Sequence, residues 1–149
     1  MMAEEWTRGD FSVSTDPSRL DLAVIHAYLT NSYWARNIPL EIVRRAVAGS
    51  LPFGVYEGTR QVGFARVVTD RATFAYMADV FALEEYRGKG LGKWLVACIM
   101  THPDLQGLRR WFLATRDAHG LYRQFGFLPL TQPESIMQML VQDAYGSRE

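Results

Sequence analysis

One segment of this 149-residue sequence has residue types and spacing suited to binding an anion. The segment reads Arg87-Gly88-Lys89-Gly90-Leu91-Gly92-Lys93. Glycines at alternate positions let the backbone turn sharply and bring bare N–H groups close to a ligand, and a helix that begins behind them adds the positive end of its dipole. Because Arg87, Lys89 and Lys93 add positive side chains, the pattern predicts a site for a phosphate or a pyrophosphate.

Two common nucleotide-binding motifs do not fit this turn. In the P-loop pattern, Arg87 stands where the first glycine belongs, and Trp94 stands where a hydroxyl residue would bind magnesium. In the dinucleotide-binding pattern, Lys93 occupies the third glycine position, and the preceding segments are typical of meander strands instead of a βαβ unit that opens the chain. The sequence therefore disfavours ATP hydrolysis and a dinucleotide-binding fold.

The turn must be positioned by the elements around it. Asp16-Pro17 predicts the start of a first helix, and Pro39 predicts a second helix that stops at Gly49. The cleanest apolar stripe of the chain runs from Leu91 to Ile99 and predicts a helix directly behind the glycines, and residues 117–125 predict a last, short helix. Strands are predicted at residues 11–14, 53–57, 61–69, 73–83, 109–115 and 136–141.

The composition limits the class of protein. Sixteen Lys and Arg offset sixteen Asp and Glu, so a formal charge of zero gives no reason to expect a nucleic-acid partner. One cysteine, Cys98, excludes an intrachain disulfide, and three scattered histidines give no metal site. Because the N-terminus lacks an apolar signal region and no run of about 18 apolar residues occurs, we expect a cytoplasmic single domain over residues 1–149 with no membrane partner.

The glycine turn and a second segment resemble the GNAT superfamily of acetyltransferases. Arg87-Gly88-Lys89-Gly90-Leu91-Gly92 is similar to the family's Q/R-x-x-G-x-G/A turn, and residues 120–127, anchored by Ala118, are similar to its A-x-x-x-Y-x-x-x-G-F segment. The order of predicted elements extends the resemblance over nearly the whole chain. It implies an α/β (mixed α+β) fold, with a central mixed, mostly antiparallel twisted sheet of about six or seven strands flanked by about four helices.

The resemblance implies acetyl-CoA as co-substrate. Its pyrophosphate would bind the turn, mainly through backbone N–H groups of Arg87, Gly88, Lys89, Gly90, Leu91, Gly92 and Lys93. The strand before the turn would splay from its neighbour, and the pantetheine arm would bond to the backbone of Val80, Phe81 and Ala82 like an added strand. A backbone N–H near Val80 would polarise the thioester carbonyl. Thr115 stands where relatives often place asparagine and would contact the cofactor.

The resemblance also implies direct transfer of the acetyl group to a primary amine. Tyr122 would be the general acid that protonates the departing thiolate, although an aromatic residue on a short amphipathic helix is also typical of the core. The amine must lose a proton, and Asp79 is the leading candidate for a base because it interrupts an apolar strand. The alternative, which the sequence leaves open, is that Asp79 pairs with a structural arginine such as Arg66.

The acceptor pocket is expected between the first two helices. Residues 31–38 place two large aromatics among polar residues, so Tyr33, Trp34 and Arg36 are predicted to grip a small amphipathic amine, unless Trp34 only covers the core. The sequence therefore predicts an acetyl-CoA-dependent N-acetyltransferase acting on a small-molecule amine or an exposed protein amine. A module that binds acetyl-CoA without transferase activity is the competing hypothesis, and homodimers are frequent in the family.

Overall fold

A computed structural model describes residues 2–146, which form one six-stranded sheet with helices on both faces. The strands are β1 (Glu5–Arg8), β2 (Phe11–Ser14), β3 (Leu51–Glu57), β4 (Arg60–Thr69), β5 (Phe74–Ala82) and β6 (Arg110–Leu113). The helices are α1 (Leu22–Leu29), α2 (Leu40–Ala48), α3 (Leu91–Met100) and α4 (His119–Arg123). Neighbouring strands follow chain order and run antiparallel except for the parallel pair β5–β6. The predicted fold class is confirmed.

Two hydrophobic clusters hold the helices on opposite faces of the sheet. On one face, Ile25 of α1 and Val43 of α2 pack with Phe64 of β4. On the other face, Leu95 of α3 packs with Phe53 of β3. Fully burying a side chain of this size contributes about 1.5–3 kcal/mol to stability. The two clusters therefore hold the helices against the two faces of the sheet. No helix among residues 2–146 is both long enough and apolar enough to cross a bilayer.

The start of the chain differs from the sequence-based prediction in two ways. β1 was not predicted, and it adds an outer strand that pairs with β2. Asp16 caps only a single 3-10 turn over Pro17–Arg19, so the prediction that the first helix begins there is wrong. The helix begins after Asp21, whose side chain accepts hydrogen bonds from the N–H groups of Ala23 and Val24. A second cap, five residues downstream of Asp16, therefore marks the start of α1.

The predicted last strand at residues 136–141 is also wrong. These residues form no strand in the described chain, and their apolar side chains are mostly exposed. A strand requires a neighbouring edge that exchanges backbone hydrogen bonds with it, and the six described strands leave this segment without one. Consequently β6 lies at an edge of the sheet.

A β-bulge interrupts β5 close to that edge. Asp79 and Val80 lie together opposite Ala65 of β4, and Asp79 adopts a left-handed backbone conformation with φ +55°. The extra residue reverses the alternation of side chains, because Met77 packs on the α3 face whereas Phe81 packs on the α1 face. Side chains after the bulge in β5 therefore point to the face opposite to the one that the regular alternation would give.

β5 and β6 part at the same place. Their parallel pairing joins Phe74–Met77 to Arg110–Leu113 and ends there. In the described part of the chain, residues 78–82 of β5 then continue without a strand on the β6 side. The sheet opens between these two strands, as the resemblance implied, and leaves a free backbone edge next to the gap.

Candidate active site

A cleft of about 1240 Å³ lies where β5 and β6 separate. Its walls come from α1 and the segment after it, the bulged half of β5, the segment after β6, and α4. The cleft brings together seven residues that the sequence singled out, namely Tyr33, Trp34, Asp79, Val80, Arg87, Thr115 and Tyr122. Residues separated by nearly ninety positions in the chain thus line the same cleft.

Other predicted residues lie outside the lining of this cleft. Phe81 is buried, and its ring stacks on Tyr28 with centroids 3.9 Å apart. Ala82 follows it at the end of the free edge of β5, and residues 88–93 form the adjoining turn. Arg36 is exposed and does not line the cleft, so the structure does not bring it to the other acceptor residues.

The glycine turn has a backbone that only glycine adopts readily. Gly88 and Gly90 have φ values of +83° and +75°, and Gly90 immediately precedes α3. No side chain caps the N-terminus of α3, so the N–H groups of its first turn remain available to a ligand. A Cβ added at Gly88 or Gly92 would meet no atom within 4 Å, which leaves open space beside the turn. These features fit a bound pyrophosphate.

Arg8 of β1 contacts both the glycine turn and the first turn of α3. Its Nη2 donates a hydrogen bond to the carbonyl oxygen of Lys89 at 3.0 Å, and its guanidinium lies 5.0 Å from the ring centroid of Trp94. This hydrogen bond satisfies the Lys89 carbonyl and ties the glycine turn to β1. This role of Arg8 could not be predicted from the sequence, because β1 itself was not predicted.

Arg87 connects the turn to the cleft. Its Nη2 donates a hydrogen bond to the hydroxyl of Tyr28 at 3.0 Å, and both residues line the cleft. Because the ring of Tyr28 stacks on Phe81, this bond links α1, the free edge of β5 and the glycine turn. Arg87 therefore lies between the predicted pyrophosphate site and the predicted acceptor site.

Both carboxylate oxygens of Asp79 accept hydrogen bonds. Oδ2 accepts from Arg66 Nε at 2.6 Å, and Oδ1 accepts from Trp34 Nε1 at 2.8 Å. Arg66 also donates to Ser50 Oγ at 3.1 Å. The ion pair with Arg66, which the sequence left as an alternative, is therefore present. Trp34 is fixed to β5 by this network instead of serving only as a core cover.

Tyr122 presents a phenol to the cleft from a largely buried position. Its side chain belongs to the core cluster around α3, and its ring meets Phe127 edge to face at 6.0 Å. Burial, with a smaller contribution from nearby Tyr33, raises the pKa of Tyr122 above its usual value of 10. The phenol is therefore protonated near neutral pH and can donate its proton. Thr115 Oγ1 accepts a hydrogen bond from the N–H of Ala118 at 3.0 Å and so supports the start of α4.

Tyr33 and Trp34 form an aromatic wall at the mouth of the cleft. Their rings meet edge to face at 5.1 Å, and each keeps about half of its surface exposed. Arg116 places its guanidinium 3.8 Å from the ring centroid of Tyr33, and its backbone N–H donates to the Tyr33 hydroxyl at 3.2 Å. Tyr145 reaches the cleft from the C-terminal segment. Sequence reasoning missed Arg116 and Tyr145, because neither lies in a motif.

The sequence model of the acetyltransferase (GNAT) domain matches residues 49–129, which include the bulged strand, the glycine turn and α4. A candidate acetyltransferase of Gibberella zeae is 35% identical over 80% of this chain and 79% of its own length. The chain belongs to the GNAT acetyltransferase family.

Solved structures agree with this assignment. A candidate GNAT-family acetyltransferase of Xanthomonas campestris is 52% identical, with a TM-score of 0.90 over 92% of this chain and 97% of that chain. Glucosamine-6-phosphate N-acetyltransferase of Arabidopsis thaliana has a TM-score of 0.60 over 95% of this chain and 98% of its own, at 15% identity. The second likeness concerns the fold alone.

Proposed function

We propose that this protein is an acetyl-CoA-dependent N-acetyltransferase that acts on a primary amine of a small molecule or an exposed protein amine. The observation that carries the proposal is the opening between β5 and β6, which joins the glycine turn to a cleft containing Tyr122 and Asp79. The amine attacks the thioester directly, so no covalent acyl-enzyme is needed.

The residues around the opening suit acetyl-CoA. The uncapped first turn of α3 and the flanking cations Arg87, Lys89 and Lys93 would hold the pyrophosphate. The backbone of residues 80–82 has no strand on the β6 side in the described chain, so it can bond to the pantetheine amides. When bound, acetyl-CoA supplies the activated acetyl group.

Tyr122 would donate its proton to the departing thiolate. Its raised pKa keeps the phenol protonated at neutral pH, and its place in the cleft wall gives it access to the reacting atoms. The bulge at Asp79 would turn the N–H of Val80 toward the thioester carbonyl, where negative charge develops. The hydroxyl of Thr115 keeps its own proton available for a contact with the cofactor.

Asp79 would accept a hydrogen bond from the acceptor amine while it links Arg66 and Trp34 in the cleft. Each carboxylate oxygen accepts one hydrogen bond, from Arg66 or Trp34, and so keeps a further lone pair for a donor, and Asp79 lines the cleft. We assign Asp79 a positioning role, with the amine's proton passing to water in the open cleft. The base role remains the alternative, and the pH dependence of a variant separates the two.

The acceptor would lie against Tyr33 and Trp34. An aromatic wall favours an apolar or planar group, and Arg116 beside it favours a carboxylate on the same acceptor. Arg116 takes the place that the sequence suggested for Arg36, which lies outside the cleft lining.

The test is release of free thiol from acetyl-CoA across a panel of amines and peptide N-termini. We expect turnover with at least one small amine that carries an aromatic or carboxylate group, and none without an acceptor. Binding of acetyl-CoA measured by calorimetry, together with silence across the panel, would instead support the module without transferase activity. Absence of binding would overturn both.

We also propose a cytoplasmic location. Cys98, the one cysteine of the sequence, is buried as a free thiol, and burial raises its pKa to about 11. An unpaired, unreactive thiol is typical of proteins from a reducing compartment.

A further inference from the structure

Residues 143–146 form a turn that lies against the candidate active site. The N–H of Gly146 donates a hydrogen bond to the carbonyl oxygen of Asp143 at 2.9 Å, and the two residues have left-handed backbones with φ values of +76° and +52°. Tyr145, inside this turn, lines the cleft, as Tyr33 and Trp34 do. The turn therefore has a defined shape of its own and adds a further aromatic side chain to the lining of the cleft.

Asn37 holds this turn in place. Its Nδ2 donates to the carbonyl oxygen of Gly146 at 2.7 Å, a contact across 109 positions of the chain. Asn37 itself has a left-handed backbone with φ +68°, and its N–H donates to the carbonyl oxygen of Thr30 at 2.9 Å. Asparagine adopts this conformation more readily than most residues and also carries an amide donor. Position 37 is therefore suited to fixing the turn to the segment after α1.

A second link joins two walls of the cleft. Arg116, in the segment after β6, places its guanidinium 3.8 Å from the ring centroid of Tyr33, in the segment after α1, and its backbone N–H donates to the Tyr33 hydroxyl at 3.2 Å. The chain that leads to the 143–146 turn comes from the β6 side, where Ile136 borders a groove beside β6 and α4. Residues 136–146 thus pass from the β6 side of the cleft to the α1 side, and two separate links span its proposed acceptor end.

The links leave an opening that a small solute can pass. Tyr33 is 50% exposed, Trp34 42% and Tyr145 39%, so solvent reaches all three side chains. The cleft volume of about 1240 Å³ exceeds the roughly 300–1,000 Å³ of a typical ligand pocket, which leaves room for the reacting end of acetyl-CoA and a small acceptor together. A protein amine differs, because the chain that flanks it also needs a path into the cleft.

We propose that Asn37 and Tyr145 are specificity-determining residues that restrict the acceptor to a small-molecule amine. The turn that they hold over the cleft excludes the polypeptide that flanks a protein amine, whereas a small amine passes between the two links. This role rests on the proposed function, and it decides between the two kinds of acceptor that the proposed function leaves open.

The first test measures access to the cleft without any enzymatic reaction. Ala78 is half-buried and lines the cleft, so Ala78→Cys places a thiol inside it. The protein is treated with N-ethylmaleimide and, separately, with a maleimide coupled to an extended peptide, and the ratio of the two labelling rates is measured. Met2→Cys supplies the reference ratio, because Met2 is 93% exposed. Cys98 is buried and does not compete for either reagent.

Relative to N-ethylmaleimide, we expect the peptide reagent to label Ala78→Cys about tenfold more slowly, or slower still, than it labels Met2→Cys. Adding Asn37→Gly and Tyr145→Ala to Ala78→Cys should bring the ratio close to the reference. Glycine keeps the left-handed conformation at position 37 but lacks the amide donor, and circular dichroism melts check that the fold is retained.

Tyr145→Phe, added alone to Ala78→Cys, is the matched control, since it keeps the ring over the cleft and should keep the ratio low. A ratio equal to the reference in Ala78→Cys alone, or a ratio that stays low in the triple variant, would overturn the proposal. A thiol that N-ethylmaleimide cannot reach would do the same, because a small acceptor could not enter either.

Turnover of acetyl-CoA then separates this role from the proposed function. Small amines are compared with peptides that carry the same amine at their N-terminus, and we expect the ratio of peptide to small-amine kcat/KM to rise about tenfold or more in the double variant Asn37→Gly, Tyr145→Ala. Equal kcat/KM values for both kinds of acceptor in the wild type would contradict the restriction and leave the N-acetyltransferase function standing. Silence with every acceptor would contradict the proposed function, and the labelling ratios would still test the restriction.

Discussion

Arg66 and Asp79 join β4 to β5 at the place where the sheet opens. Arg66 Nε donates to Asp79 Oδ2 at 2.6 Å, and the two side chains are only 20% and 10% exposed. Asp79 lies in the bulge, in a left-handed backbone conformation that asparagine and aspartate tolerate better than other side chains. Since Trp34 Nε1 donates to the other oxygen of Asp79, this one carboxylate links β4, β5 and the segment after α1 in the cleft.

Asp79→Asn should therefore weaken the fold as well as catalysis. The amide oxygen can still accept from Trp34, but Arg66 loses its counter-charge in a mostly buried place, so we expect the free energy of unfolding to fall by about 1.5–3 kcal/mol. If Asp79 positions the amine, the acceptor KM rises while the acidic limb of the kcat/KM profile against pH keeps its shape. Chemical denaturation and pH-dependent kinetics measure these effects.

The double variant Asp79→Asn, Arg66→Gln is the control for the ion pair. Removing both charges should recover part of the stability that the single variant loses, because no uncompensated charge remains. Loss of the acidic limb in Asp79→Asn would contradict the positioning role and make Asp79 the base.

Tyr122→Phe should lower kcat about 100-fold or more, in the range typical of a lost general acid. The ring keeps its packing against Phe127, so binding of acetyl-CoA and the melting temperature should hardly change. Steady-state kinetics and calorimetry measure the two quantities. Tyr33→Phe is the matched control, since it removes a cleft hydroxyl that accepts a hydrogen bond from the backbone N–H of Arg116 and should affect the acceptor KM more than kcat. An unchanged kcat in Tyr122→Phe would remove this residue from the mechanism.

Gly92→Glu should weaken acetyl-CoA binding at least tenfold, which is about 1.4 kcal/mol. A carboxylate in the first turn of α3 would repel the pyrophosphate, yet it interacts favourably with the helix dipole, so the fold should be retained. Gly92 has open space around its Cβ position and no positive φ, which makes it a cleaner site than Gly90.

Gly92→Gln is the matched control for this charge. It adds a side chain of nearly the same size, so calorimetry should find a smaller loss of affinity than for glutamate. If the Glu variant binds acetyl-CoA as tightly as the wild type, the turn does not hold the pyrophosphate.

Local signals made much of the fold predictable. The glycines at positions 88 and 90 are needed for positive φ, and the stripe from Leu91 to Ile99 can only face a core as a helix, so the turn and α3 were placed correctly. The start of α1 was placed too early because Asp16-Pro17 also forms a single 3-10 turn, which has the same capping pattern.

Contacts between distant residues could not be predicted in the same way. Arg8 meets the turn across 81 positions of the chain, and Arg116 meets Tyr33 across 83. Nothing in the local sequence of either arginine distinguishes it from a solvated surface residue. The choice between base and ion pair for Asp79 likewise depended on which arginine the register of β4 places beside it.

His102 should make the stability of this protein depend on pH. It is buried and packs against the rings of Trp6 and Phe53, and its Nδ1 accepts a hydrogen bond from the N–H of Asp104 at 3.0 Å. Burial lowers the pKa of His102 below its ordinary value of 6.5, although the charges of Asp104 and Glu4 act in the opposite direction.

The unfolded chain therefore binds a proton at this histidine more readily than the folded chain does. The free energy of unfolding keeps the full contribution of neutral His102 above pH 6.5 and loses it as the pH falls below that value. His102→Asn retains an oxygen that can accept from Asp104 but cannot titrate, so its unfolding free energy, measured by urea denaturation between pH 7 and pH 5, should fall less steeply than that of the wild type. Parallel curves for the two proteins would mean that His102 is not the group responsible.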